Sequence, residues 1–295
     1  MQLKLKWIVA ILSLTLISAS LFFSNYQKER LLVRKIRKIP QEDRAALEAF
    51  FRILILQEGG AYVLFGTKPM AFTAYLHTCQ PNITTHRMWR YYTENRIIEN
   101  GWKVWKKHQS EFPSKHFILD YKPFDNRRSE ICLIDILKFK KITKTDLSDL
   151  FISLGTSPSS LLKTYQQQNI ALFKLLNGNH TALGILLGFG KKNAKQFHER
   201  ALQIGDDPNA IQRIPFKIAL QPENLIDSMF LKSAFKETNL NACYKFLYLP
   251  CFLVDTHSEE TQELKSQYLK QRQLIHEKYA HDNFLETTLK QFCLN

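Results

Sequence analysis

The sequence predicts an α+β fold, a mostly helical body with a small antiparallel sheet, preceded by one N-terminal apolar helix. Apolar residues recur at helical spacing over most of the chain, as at Leu47, Phe50 and Leu54. Two short runs rich in Ile, Leu and Phe, His116–Lys122 and Ile131–Phe139, predict strands joined as a hairpin. The strand and helix patterns do not alternate regularly, which favours α+β over a parallel α/β fold.

The composition is that of a globular protein with a well-filled core. Of the 295 residues, 45% are hydrophobic and 23% are charged, which excludes a disordered chain. The five cysteines are an odd number and do not make a disulfide scaffold. We expect residues 1–39 to form a membrane anchor or signal segment with basic flanks, and residues 40–295 to form a single α+β domain.

The net charge of +14 is unevenly distributed. The first 40 residues hold eight bases and one acid, whereas the remaining 255 hold 33 bases and 26 acids. Half of the excess therefore belongs to a short terminal segment. A charge placed in this way indicates a membrane surface more than a nucleic acid.

The uncharged segment Trp7–Phe23 lies between two basic clusters and predicts a single membrane-spanning helix. At about 1.5 Å per residue it covers roughly 25 Å, near the lower limit for a bilayer core. We favour an uncleaved signal anchor that contacts membrane lipid. The alternatives are a secretory signal cleaved near Ser18-Ala19-Ser20, with export of the body, and a buried terminal core helix. The side of the membrane stays open, and Leu31–Ile39 is expected beside the lipid headgroups.

The first half of the body predicts helices around a small sheet. Pro40 starts a helix that ends at Gly59-Gly60, and the apolar run Ala61–Gly66 then predicts a strand, closed by a turn at Lys68-Pro69. Residues 83–107 predict a helix that Gly101 divides. The sheet is expected to contain Ala61–Gly66 and the hairpin strands, with residues 245–254 as a further candidate strand.

The second half predicts a series of helices. Thr143 or Thr145 is expected to cap a helix that ends near Leu154, and Ser157-Pro158 starts another that reaches Leu176. Residues 179–203 predict a third helix with glycine interruptions, and residues 258–292 predict one long final helix. Its apolar face comprises Leu264, Tyr268, Ile275, Tyr279, Leu285, Leu289 and Phe292.

The segment Leu183–Ala194 (LGILLGFGKKNA) is the one candidate site that we single out. Glycines followed by Lys191 and Lys192 are typical of a phosphate cradle, and His180 lies just before them. The spacing does not fit a P-loop, because five residues separate Gly184 from Gly190 and Lys192 stands where a hydroxyl is needed. Close helix packing at the glycines is the favoured interpretation, and anion binding by Lys191, Lys192 and His180 is the alternative.

The basic aromatic stretch His86–Lys107 is the best candidate for nucleic-acid binding. It interleaves six bases with tryptophans and tyrosines, a composition that suits base stacking and phosphate contact. Aromatic residues at helical spacing are more often core, with bases reaching outward, so we disfavour a nucleic-acid partner.

The remaining polar residues match no catalytic or metal-binding signature. The nine histidines and five cysteines have no zinc spacing, and the chain has no GxSxG or SxxK motif. We therefore predict no catalytic residue, no metal and no cofactor.

Three stretches carry a resemblance: Tyr62–Met70 (YVLFGTKPM), Leu183–His198 and Ser258–Arg272. With these residues the chain resembles a family of proteins from chlamydia-like intracellular bacteria that has no assigned activity. The resemblance spans most of the body but carries over no site residues. It implies a bacterial protein associated with the envelope or exported across it.

Two functions follow as expectations. The first is a membrane-anchored or exported bacterial protein that acts by binding an unidentified protein partner rather than by catalysis. The alternative is an envelope enzyme that acts on a phosphorylated or acidic substrate.

Overall fold

The computed structural model describes most of the helical body and its sheet. The described residues are 20, 23–76, 86–125, 128–204, 218–219, 247, 249–250, 252–253, 258–280 and 283–294. The predicted α+β class is confirmed, because helices dominate these residues and surround a small antiparallel sheet.

The described helices run from residue 23 to Leu294. They are α1 (23–38), α2 (Gln41–Phe51), α3 (Gly60–Leu64), α4 (His86–His108), α5 (Ile136–Thr145), α6 (Ser148–Ser153), α7 (Pro158–Gln167), α8 (Leu172–Leu175), α9 (His180–Leu186), α10 (Lys191–Ile204), α11 (Glu259–Tyr279) and α12 (Phe284–Leu294). A π-helical stretch, Arg52–Gln57, extends α2, and a 3₁₀ turn, Gln109–Glu111, follows α4.

The main sheet has three antiparallel strands, β1 (Met70–Leu76), β2 (Phe117–Pro123) and β3 (Arg128–Asp135), in the order β1-β3-β2. The predicted β2–β3 hairpin is confirmed, with Ile118 opposite Ile134. A separate pair joins β4 (Ile218–Ala219) to β5 (Phe252–Leu253), so the two residues of the candidate strand 245–254 that are seen to pair do so outside the main sheet.

The sheet lies between two hydrophobic cores, because side chains alternate between its faces. Ala71, Ile131 and Leu133 belong to the larger core, which includes buried residues of α1–α4, α11 and α12. Met70, Cys132 and Ile134 belong to a second core, which α5–α10 complete. The central strand β3 is thus covered on both faces, which explains its continuous apolar run.

The predicted strand at Ala61–Gly66 is wrong, since Gly60–Leu64 is a short helix with every residue buried. A short apolar run without a period does not distinguish a strand from a buried helix. The third strand of the sheet is instead Met70–Leu76. Lys68-Pro69 precedes this strand, where proline does not interrupt the ladder.

Capping side chains move two of the predicted boundaries. Strand β3 stops at Asp135 because its carboxylate accepts the Lys138 N–H at 2.9 Å and starts α5, so the predicted strand ends four residues early. Thr143 does not cap the next helix, since its hydroxyl donates to the Phe139 carbonyl at 2.9 Å inside α5. Thr145 likewise donates within the last turn of α5. The predicted helix start at Ser157-Pro158 is confirmed, and Ser157 is its N-cap.

The breaks between helices also differ from the sequence prediction at three places. Helix α4 continues through Gly101. A Cβ at this residue would overlap the Phe50 side chain of α2. Glycine here allows close packing of the two helices.

The predicted final helix is divided in two, and Asn283 Oδ1 accepts the Leu285 N–H at 3.1 Å as α12 begins. Likewise, separate helices α7 and α8 replace the single helix predicted to Leu176.

Helix α1 contains most of the predicted basic flank and packs on the body. Leu32, Ile36 and Ile39 are buried in the larger core. The predicted apolar helix Trp7–Phe23 lies outside the described residues except for Ser20 and Phe23. Across the helices that the structure describes, none combines the length and apolar content needed to cross a bilayer.

Candidate functional site

A pocket of about 210 Å³ opens on the second-core face of the sheet, between β1, β3 and helices α8 and α9. We call it the sheet pocket. Its floor comprises the buried residues Met70, Ser129, Glu130, Cys132 and Leu172, and its rim comprises Phe72, Phe124, Arg128, Phe173, His180 and Leu183. The rim residues are partly or fully exposed, so the pocket is reached from the surface.

Glu130 supplies a carboxyl group to the pocket floor although it is only 6% exposed. Its place on the central strand puts it between Ala74 of β1 and Lys122 of β2. Its Oε1 accepts the N–H of Leu172 at 2.6 Å, a main-chain donor that the first turn of α8 leaves without a helical partner. Burial raises the pKa of Glu130, and this hydrogen bond partly opposes the rise.

The neighbouring floor residues are not arranged as nucleophiles. Burial, reinforced by the charge of Glu130, raises the pKa of the Cys132 thiol well above its usual value. Cys132 is therefore protonated at neutral pH and unreactive. The Ser129 hydroxyl donates to Tyr121 Oη at 2.7 Å on the opposite face of the sheet, where Tyr121 packs against the larger core, so it is not a pocket nucleophile.

The rim is built from aromatic rings. Phe124 and Phe173 stack with their centroids 6.1 Å apart, and the His180 ring lies 4.7 Å from that of Phe173. Burial lowers the pKa of His180, and nearby His198 lowers it further. The ring is therefore neutral at pH 7, and the rim presents flat, weakly polar surfaces.

Charged groups lie at the mouth of the pocket beside these rings. Arg128 pairs with Asp125, with Nη2 2.6 Å from Oδ2, and its guanidinium lies 4.8 Å from the Phe124 ring centroid. The Lys174 ammonium lies over the same ring at 5.7 Å. Two cations thus face one carboxylate at the mouth.

Comparison with protein-family models, with curated proteins and with solved structures finds no match for this chain. The resemblance at Tyr62–Met70 therefore stays a prediction.

The structure separates the residues of the predicted anion site. His180 lines the sheet pocket, whereas Lys191 and Lys192 do not. Both lysine side chains are exposed at the start of α10. Their main-chain N–H groups donate to Glu260 Oε1 of α11 at 2.9 and 3.2 Å, and Asn193 N–H donates to Oε2 at 3.0 Å. The chain's own carboxylate thus occupies this helix N-terminus, and anion binding by the lysines stays a prediction.

The glycines of this segment serve close packing, as favoured from the sequence. A Cβ at Gly184 would lie 2.8 Å from Ala194 Cβ, so glycine brings α9 against α10. Gly190 has φ = 86°, and a Cβ there would lie 2.7 Å from the Glu260 carboxyl carbon. Glycine is needed at Gly190 both for its left-handed backbone and for the approach of Glu260.

The basic aromatic stretch contributes to the core, as expected, where the structure describes its side chains. Trp105 is 2% exposed and stacks on Phe112, and Trp102 is buried against Tyr121. Neither indole is open to a nucleobase. Lys103 pairs with Glu99 at 2.7 Å, and Lys107 pairs with Asp43 at 2.7 Å.

No group of three metal-binding side chains comes together within the described residues. The residue that sequence reasoning missed is Glu130. Its signal is a lone acid beside the apolar run Ile131–Ile134, where a charge is costly unless it is paired or functional.

Proposed function

We propose that the protein is a membrane-anchored, non-catalytic binding protein, with residues 7–23 in the bilayer and the body held against its surface. The observation that supports this most is the docking of α1. This helix continues the chain from the proposed anchor and buries Leu32 and Ile36 in the larger core, where Ile39, directly after the helix, is also buried. A membrane segment joined to such a helix fixes the position of the whole body.

The open side of α1 suits an anionic lipid surface. Six bases of this helix are exposed: Lys28, Arg30, Arg34, Lys35, Arg37 and Lys38. Phe23 and Tyr26 are exposed beside them, at 62% and 49%. Bases and aromatic rings together are typical of a helix at the headgroup layer, where each base contributes about 1 kcal/mol.

Polar contacts reinforce the docking of α1. The Lys290 ammonium lies 2.8 Å from Glu29 Oε1, and Lys35 Nζ donates to the Glu111 carbonyl at 3.0 Å. These partners lie on α12 and in the turn after α4, so the helix is held at two places. The contacts favour a fixed orientation over a flexible tether.

Binding rather than catalysis is supported by the chemistry of the sheet pocket. The Cys132 thiol is protonated, and the His180 ring lies between the rings of Phe173 and Phe197. A pocket with one buried carboxyl and an aromatic rim is suited to holding a ligand.

Cell fractionation of the full chain, with a topology reporter fused after Asn295, tests the anchoring. We expect the chain in the membrane fraction after an alkaline carbonate wash, and we expect deletion of residues 7–23 to reduce this retention sharply. The reporter identifies the side that the body faces. Full-length protein in the soluble fraction would contradict the proposal.

A charge-reversal experiment tests the role of α1. Arg30, Arg34, Arg37 and Lys38 are changed to Glu in the protein that lacks residues 7–23, and binding to vesicles containing anionic lipid is measured. The matched control changes four exposed bases of the body to Glu: Lys115, Lys141, Lys144 and Lys163. We expect the α1 variant to lose vesicle binding and the control to retain most of it. Equal losses of vesicle binding in the two variants would indicate that binding depends on net charge alone and not on α1.

A further inference from the structure

The volume of the sheet pocket restricts what it holds. At about 210 Å³ it exceeds the roughly 150 Å³ of an apolar cavity that accepts benzene, but is smaller than the pockets of most drug-sized ligands. One six-membered ring with a small substituent fits this space. A whole nucleotide does not fit inside it.

The walls of the sheet pocket favour a ligand that is flat and apolar. Phe72, Phe124 and Phe173 supply aromatic surface, and Leu172 and Leu183 supply aliphatic surface. Aromatic rings prefer stacked or edge-on contact with other rings, which contributes about 1 kcal/mol beyond area burial. Burial against these walls therefore favours an aromatic ring.

The floor selects a hydrogen-bond donor. An ionised carboxylate offers about four acceptor positions, and the Leu172 N–H uses one position of Glu130 at 2.6 Å. The Cys132 thiol also interacts with this carboxyl group. Because Glu130 is nearly removed from water, a further donor from a ligand compensates for lost hydration.

Charge excludes ionic versions of this ligand. An anion has to approach the carboxyl of Glu130 at the floor. A bound cation is repelled by Arg128 at the mouth and by Lys122 and Lys174, whose charges already stabilise the ionised carboxyl of Glu130. A neutral donor avoids both penalties, and a hydroxyl is the smallest neutral donor that an aromatic ring carries.

We propose that the sheet pocket binds a small neutral aromatic molecule with one hydroxyl group, of the phenol class. The ring lies against Phe124 and Phe173, and the hydroxyl donates to Glu130. This inference rests on the binding role proposed above but not on the membrane location. The affinity expected for so small a ligand is in about the millimolar range.

Methyl NMR of the full chain in micelles, titrated with phenol, tests the proposal. We expect saturable shifts of the Met70, Leu172 and Leu183 methyl signals, while the Leu47 methyls in the other core stay in place. Toluene, which lacks the donor, is expected to bind about tenfold more weakly. Benzoate and benzylamine are expected to cause no saturable shift at these methyls.

Two variants and a control locate the binding. Leu183→Trp fills the pocket from its rim and is expected to abolish the shifts at Met70 and Leu172, whereas the same change at exposed Leu137 leaves them intact. Glu130→Gln retains an acceptor for the Leu172 N–H and is expected to reduce phenol affinity about fivefold, with toluene affinity unaffected.

Saturable phenol shifts that survive Leu183→Trp, or benzoate binding tighter than phenol, would overturn the inference. So would the absence of saturable shifts in the folded wild type. Because these signals are independent of membrane fractionation, the ligand and the anchoring proposals fail separately.

Discussion

The carboxylate of Glu260 lies at the N-terminus of α10, with Oε1 2.9 Å from the Lys191 amide nitrogen and 3.2 Å from that of Lys192. A residue in the first turn of α11 thereby caps a helix that begins 69 residues earlier. The first N–H groups of a helix have no partner of their own, and an anion beside them is favoured by the helix dipole. This contact joins the second helical layer to the C-terminal helices.

Replacing Glu260 with alanine leaves these donors exposed, and we expect the free energy of unfolding to fall by about 2 kcal/mol. The vacated N-terminus then resembles an ordinary anion site. Sulfate is therefore expected to restore about 1 kcal/mol to this variant. Denaturant unfolding with and without sulfate, compared at equal ionic strength with chloride, measures both effects.

The matched control is Glu259→Ala, which removes the same charge from the exposed neighbouring residue. It is expected to change stability by less than about 0.5 kcal/mol and to show no specific sulfate response. Equal destabilisation by the two variants would show that the cap is not important for stability.

Gly101→Ala is expected to destabilise the protein by about 2 kcal/mol, opposite to the usual gain from such a change inside a helix. A Cβ at this position overlaps the Phe50 side chain, and α2 and α4 must separate to admit it. Asn100→Ala, at an exposed position of the same helix, is the control and is expected to be neutral or stabilising. Chemical denaturation of the three proteins decides the sign.

Lys68 is buried between the Gly59 turn and the loop at Gly188, and its ammonium lies 6.0 Å from the Phe189 ring centroid. Burial lowers its pKa to about 8, and the charge of Glu58 opposes this change. Because the pKa is lower in the folded than in the unfolded chain, burying the charged lysine costs stability. The whole of this cost is present below pH 8. This penalty disappears as the pH rises towards 10.5.

Lys68→Met is therefore expected to be more stable than the wild type at pH 7, by on the order of 3 kcal/mol. The difference is expected to shrink between pH 8 and 10.5. Unfolding free energies of the two proteins across this range provide the measurement. A difference that does not depend on pH would contradict the assignment of the penalty to the ammonium.

His180 is expected to titrate below the usual value of 6.5, since burial and the neighbouring His198 both disfavour its charged form. The pKa of His180 is measured from its ring proton signals in an NMR titration. His198→Gln removes the second cause and is expected to raise that pKa slightly, leaving the effect of burial. A wild-type pKa above 6.5 would contradict the lowering by burial and by His198.

Local patterns predicted the parts of this fold that depend on nearby residues. The β2–β3 hairpin, the helix start at Ser157-Pro158 and most of the apolar face of the C-terminal helices are confirmed. The sequence placed the third strand at Ala61–Gly66, whereas the structure has it at Met70–Leu76. This difference was not predictable, because both segments are apolar and tertiary packing decides which of them is a strand. The sheet pocket and the Glu260 cap bring together residues that are far apart in the chain. Sequence spacing does not predict contacts of this kind. His180 was predicted only as an anion ligand beside Lys191 and Lys192, and its place in the sheet pocket was not predicted.

The central claim, that α1 holds the body against the membrane, is tested most directly by photo-crosslinking in vesicles. A benzophenone amino acid replaces Arg34 on the open side of α1 or, as the control, Ile152 on α6, in the helical layer across the sheet. We predict lipid adducts from position 34 that increase with the fraction of anionic lipid, and few from position 152. Membrane-inserted protein that gives equal adducts at the two positions, or none at position 34, would contradict the account.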